Sequence, residues 1–454
     1  MIRIAIRRFW LSLFWLVPET VLAHASDRAI VVTLPTRYYY GFGALAVLAT
    51  FAVMLILGPV GKVSAKRICA LPRRFPLAAT RWIAFIALVA LVAVGFFGNR
   101  DPLDNLLVLF VWTLLWVGLT LATTLFGNIW SAFTPWIAPV RLVRSLIGRS
   151  AEGGLDGLGY WPAVCGLLGF SWFEIVSLAP ADPAVLATAV TLYFSGIFAL
   201  AVYAGDAWLR RGEFLTVFFG FVARIAPVWP ETVDGKPGLM LGLPGTRLAR
   251  MDALPASGVA FVTLVIASLT FDGLSETFRW LGAIGINPLE FPGRSAVVGI
   301  NTIGLLAMWA LTAAAILTAI LPAIGGAGLR AQAGRTIVSF LPIAAGYHIA
   351  HYLVLLLING QYALQALSDP FGLGWDLFHV GEHFVSTSFT GTYDSMLIIW
   401  NLQSFSIVAG HVIAIVLAHK LSGAGNSWRD VPMMALMVFY TVFGLWLLST
   451  PTGA

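Results

Sequence analysis

The chain has 454 residues, of which 59% are hydrophobic and only 11% charged, with a formal net charge of +6. A soluble domain carries roughly 25% charged residues, so the composition excludes an ordinary soluble enzyme and points to a membrane. The basic excess sits in the connections between apolar runs, where it sets topology rather than forming a nucleic-acid surface. The two cysteines, Cys69 and Cys165, argue against both a disulfide framework and a thiolate metal site.

The chain opens with a secretory-signal pattern. Arg3, Arg7 and Arg8 precede a short apolar core from Phe9 to Val17, and Ala23-His24-Ala25 supplies a small-residue cleavage site before Ser26. A signal peptide over 1–25 is therefore expected, followed by a single membrane domain over 26–454. Runs of about 20 apolar residues predict spanning helices. They fall near 39–59, 80–98, 104–126, 158–178, 184–207, 256–276, 295–320, 336–358, 396–418 and 431–449. The expected fold is an all-α polytopic bundle of ten spans.

Loop charge orients the spans. With the mature N-terminus outside, 19 Lys and Arg residues fall on the cytoplasmic side. Five, Arg28, Arg37, Arg100, Arg279 and Arg294, fall on the other. The expected location is the bacterial inner membrane, with both mature termini periplasmic. Two long connections interrupt the rhythm. The cytoplasmic loop 213–255 offers an interfacial helix over Glu213–Ile225 and then turn residues such as Pro227, Gly235 and Gly245. The periplasmic loop 359–395 carries Asp369, Asp376, His379, Glu382, His383 and Asp394, and a connection of this length suits a lid or binding loop.

Ionisable residues inside apolar runs are functional candidates, because burying them in lipid is costly. His348 and His351 share a helix face at i, i+3 spacing, and His411 lies at comparable depth in the next, antiparallel span. Three imidazoles with one open position would make the protein part of a zinc or iron site. Glu174 and Asp272, in the periplasmic halves of their spans, could complete or polarise it. Haem ligation by histidines on facing helices, a proton relay and plain interhelical hydrogen bonding remain open readings of the same residues. Asp206 and Arg210 read as an i, i+4 ion pair. His379-Val380-Gly381-Glu382-His383 matches H-x-x-E-H, a zinc-protease pattern that requires a helix.

Several segments together resemble a family. They are FGNIW at 126–130 with FTPW at 133–136, WPAV at 161–164 leading to WFE at 172–174, and YAGDAWLRRG at 203–212. FFG at 218–220 with Ala223-Arg224, SLTFDG at 268–273, His351-Tyr352, Gly360-Gln361 and Gly410-His411-Val412 running to Ala418-His419 complete the set. The chain is similar to the polytopic bacterial membrane proteins known as fenitrothion hydrolases, over about residues 40–420. The resemblance implies hydrolysis of an aryl phosphotriester or phosphorothioate, and it picks out Glu174, Asp272, His351, His411 and His419. This chain has Asp206 where the family carries Glu, and Lys420 where it carries Asp. In a hydrolytic mechanism, a metal on His348, His351 and His411 would activate water. Glu174 or Asp272 would act as base. The expected partners are membrane lipid and a lipophilic small-molecule substrate, with no nucleic acid.

Overall fold

A computed structural model describes residues 36–57, 65–70, 77–290, 293–323, 328–380, 384–422 and 428–450. The signal peptide expected over 1–25 lies outside them. The described chain is predominantly helical, and eight of its helices are long and apolar enough to cross a membrane. They include α2 (Leu77–Phe97), α3 (Leu106–Phe126), α6 (Pro183–Ala204), α8 (Ala256–Ser275) and α9 (Val298–Ile320). The others are α10 (Leu341–Ser368, continuing a helical lead-in from Gly328), α11 (Tyr393–Ser422) and α12 (Val431–Ser449). Two further expected spans are helices as well. These are α1 (Thr36–Leu57) and α5 (Trp161–Ile175), the second only 15 residues long. A shorter helix, α4, covers Ile137–Leu146.

Local chemistry sets the boundaries. Asp182 caps α6 by accepting the amides of Ala184 and Val185, with Pro183 in the first turn where its missing N–H costs nothing. Gly205, at φ 97°, ends the same helix. The bundle is layered by burial. Only 11% of the apolar window of α2 is buried against 78% of that of α8, so α8 is a central helix and α2 a peripheral one.

Two expectations are corrected. The segment after Glu213 is not interfacial: α7 (Phe214–Val222) is buried along nearly all its length, with Phe214, Phe218, Phe219 and Phe221 in the main core. A helix that is apolar all round belongs inside. Its cap Glu213 is fully buried and accepts from Tyr193 Oη, the amides of Leu215 and Thr216, and Thr216 Oγ1. The bundle is also not purely helical. β2 (Val228–Val233) and β3 (Lys236–Gly242) form a hairpin, and β1 (Ala65–Ala70) joins the far edge of β3, giving the antiparallel order β1-β3-β2. Asp234 and Gly235 at the hairpin tip have φ 51° and 70°, as the favoured two-residue turn requires.

Two backbone features position the site. Residues Phe110–Gly118 of α3 are π-helical, a geometry found mostly as short insertions at functional places. And α10 and α11 approach with backbones almost touching. A Cβ on Gly346 would lie 2.4 Å from the Ser406 carbonyl oxygen, and one on Gly410 would lie 2.4 Å from that of Pro342. Small residues permit this closeness in membrane bundles, where packing rather than the hydrophobic effect holds helices together.

Candidate functional site

The geometry gathers four polar side chains from three helices. Near the end of α5 stands Glu174, near the end of α8 Asp272, and early in α10 the neighbours His351 and Tyr352. His351 Nε2 lies 2.9 Å from Asp272 Oδ2. The Tyr352 hydroxyl donates to the same Asp272 oxygen at 2.6 Å and lies 3.0 Å from Glu174 Oε1. Two carboxyls on separate helices are thus joined through one phenol, and the imidazole completes the chain Glu174–Tyr352–Asp272–His351.

A phenol carries one proton. It can serve both carboxyl oxygens only if one of them brings a proton of its own. The Tyr352 hydroxyl makes the shorter contact with Asp272 and the longer with Glu174.

Surrounding groups fix the members. Arg294, just before α9, donates through Nη1 to the backbone oxygens of Glu174 (2.7 Å) and Ser177 (3.3 Å). A guanidinium on the last carbonyls of α5 also meets the negative end of that helix. The His351 ring lies parallel to Tyr347 (5.6 Å between centroids, 14°) and edge-on to Tyr352 (4.6 Å, 76°). The Trp116 indole is close to Glu174, though its N–H has no partner of good hydrogen-bond geometry. The His351 and Asp272 side chains keep 27% and 19% of their surface accessible, so the pair is not sealed off.

The other two histidines go elsewhere. His348 Nε2–H donates to the carbonyl oxygen of Trp116, in the π-helical part of α3, at 2.9 Å. His411 Nδ1–H donates at 2.9 Å to the carbonyl of Ile407, one turn back on its own helix. Carbonyls only accept, so each ring is fixed with one N–H spent on backbone. Although His348 and His351 are i, i+3, one faces α3 and the other α8. The expected three-histidine set is not assembled. Among the described residues no group of three or more His, Cys, Asp or Glu converges to hold a metal ion.

Other candidates resolve into local structure. Asp206 pairs with Arg141 of α4, at 3.0 and 2.7 Å to Nε and Nη2, instead of the expected Arg210. His379 has φ 53° and an exposed side chain beside Asp376, so the H-x-x-E-H segment does not begin as the helix that a zinc-protease pattern needs. Its Glu382 and His383 lie outside the described residues. Asp369 accepts the amides of Leu373 and Gly374, and Asp376 that of Val380, so the acidic residues of this loop form its turns.

Tyr352, Tyr347, Trp116 and Arg294 are the site residues that sequence reasoning missed as site members. The one available signal was Tyr352, a hydroxyl at mid-span next to an ionisable residue. Compared with known proteins, the chain matches no protein family, no curated protein and no solved structure.

Proposed function

We propose that this protein is a multi-pass membrane protein of the bacterial inner membrane that moves protons through a buried carboxyl–tyrosine–histidine relay, as proton-coupled transporters do. The observation that carries the reading is the Tyr352 hydroxyl, bonded to carboxyls on two other helices while His351 holds the same Asp272 oxygen. Ionisable residues within apolar helices are costly, and chains of Asp, Glu and His are the usual parts of membrane proton relays. Ten spans, a removed signal peptide and periplasmic mature termini complete the proposed topology. The relay lies near the ends of α5 and α8, on the expected periplasmic side.

A second reading is favoured by one observation, the partial accessibility of the Asp272–His351 pair. A carboxylate that orients an imidazole makes a general base. Such a base could draw a proton from water attacking the phosphorus of an aryl phosphotriester, whose acidic phenol leaves without acid assistance. This is the activity that the family resemblance implies, and it needs no metal in this form.

Both readings are tested on one preparation. Protein in proteoliposomes is given a potassium–valinomycin potential, and internal pH is followed with a trapped dye, alongside nitrophenol release from an aryl phosphotriester. The relay reading expects proton flux that is lost in Asp272→Asn and Tyr352→Phe and kept in the exposed-loop control Glu290→Gln. No flux in the wild type, with phenol release that depends on His351 and Asp272, would replace it with the hydrolase.

A further inference from the structure

A second polar locus adjoins the relay. A small cavity lies among α8, α10, α11 and α12, lined by Thr270, Tyr347, Ile407, His411 and Gly444 and closed by aliphatic and aromatic side chains. His411 is 1% exposed and Tyr347 8%. Neither His411 Nε2 nor the Tyr347 hydroxyl has a hydrogen-bond partner in the protein. The direction of the His411 ring is fixed, because its Nδ1–H is bonded to its own helix at Ile407. Nε2 is therefore the tip that points away from α11, and in that tautomer it offers a lone pair.

We propose that this cavity binds one ordered water that hydrogen-bonds both Tyr347 and His411. The site stands independently of the relay reading. The volume is about 20 Å³, and a single water needs roughly 10–15 Å³ measured in this way, with two to four polar partners. Three partners are present. The water accepts from the Tyr347 hydroxyl and donates to His411 Nε2. Its second hydrogen meets Thr270 Oγ1, which gives its own hydrogen to the Ile266 carbonyl at 2.7 Å and so has lone pairs free. Both hydrogens of the water and one of its lone pairs are then engaged, and the two buried groups without partners are satisfied. Buried polar groups left unpaired are rare, and ordered water is the usual remedy.

The water site adjoins the relay. The Tyr347 ring lies against His351, and its hydroxyl packs on the backbone of Gly273, the residue after Asp272. A side chain on Gly273 would collide with that hydroxyl, since the Cβ would stand only 2.1 Å from it.

The test is a structure of the full protein in lipid nanodiscs, by electron cryomicroscopy at a resolution that shows ordered water. The expected result is one peak within hydrogen-bond distance of both Tyr347 Oη and His411 Nε2. A cavity without density, density bonded to only one of the two, or a lipid chain in its place overturns the proposal. Solid-state NMR on histidine-labelled protein gives a second readout. A water-proton cross-peak to His411 Nε2 is expected in the wild type and should vanish in Tyr347→Phe, and persistence of the peak in that variant counts against the site. Failure of the two readings is separable. Water present without proton flux removes the relay and keeps the site, whereas flux with a dry cavity does the reverse.

Discussion

The bridge at Tyr352 makes a quantitative claim. Tyr352→Phe removes one oxygen and keeps the ring that packs edge-on against His348 and His351. Interhelical hydrogen bonds in membrane proteins average only about 0.6 kcal/mol in double-mutant cycles, with a maximum near 1.7. Bonds to an ionised partner are roughly twice as strong as neutral ones. With contacts at 2.6 and 3.0 Å to two carboxyls, the expected loss lies near the upper end, about 1.5 kcal/mol. Tyr38→Phe, on a largely exposed ring, should stay within about 0.5 kcal/mol. The decisive figure is the coupling to Asp272→Asn. Groups in one hydrogen-bond network couple by about 0.5–3 kcal/mol, while independent sites add to within roughly 0.3–0.5. We expect about 1 kcal/mol between Tyr352 and Asp272, from reversible unfolding in mixed lipid–detergent micelles. Simple additivity of the two substitutions would mean that the phenol is packing material, and the relay would lose its central link.

Other consequences can be measured with the same assay or a simple fusion. Gly410→Ala places a methyl 2.4 Å from the Pro342 oxygen and should cost about 1–3 kcal/mol by forcing α10 and α11 apart. Gly360→Ala, with nothing within 4 Å of its Cβ, should not. Glu213→Ala removes the acceptor of four hydrogen bonds at a fully buried helix cap. It should cost about 2–4 kcal/mol, with Glu213→Gln milder. The proposed topology has a periplasmic C-terminus, so alkaline phosphatase fused after Ala454 should be active and a green fluorescent fusion dark; the opposite pattern would mean a miscounted span.

Much of the architecture was legible because lipid demands long apolar runs. Each expected run has a helix in the structure, though the one at Trp161–Ile175 is shorter than a typical span. The individual site residues Glu174, Asp272 and His351 were legible for the same reason, as ionisable groups where they are costly. Their pairing was not. The i, i+3 spacing put His348 and His351 on one face, but that face is wide enough for one ring to reach α3 and the other α8. Tyr352 was hidden because a tyrosine in an apolar run usually reads as packing or as an interfacial ring. Trp116 contributes to His348 through its carbonyl, which residue type does not reveal. The sheet was missed although Asp234-Gly235 is a strong hairpin signal, because β1 and β3 meet only across most of the first half of the chain.

That last pairing has a consequence for biosynthesis. β1 ends at Ala70 and its partner β3 begins at Lys236, with the membrane-length helices α2, α3 and α6 made in between. At about 5–20 residues per second, the ribosome needs roughly 10–30 s to cover that distance. Throughout that interval β1, with Ile68 and Cys69 exposed even in the finished protein, lacks its partner strand. The sheet can therefore close only after the first group of membrane-length helices has been made, so its pairing ties the early part of the chain to a segment synthesised much later.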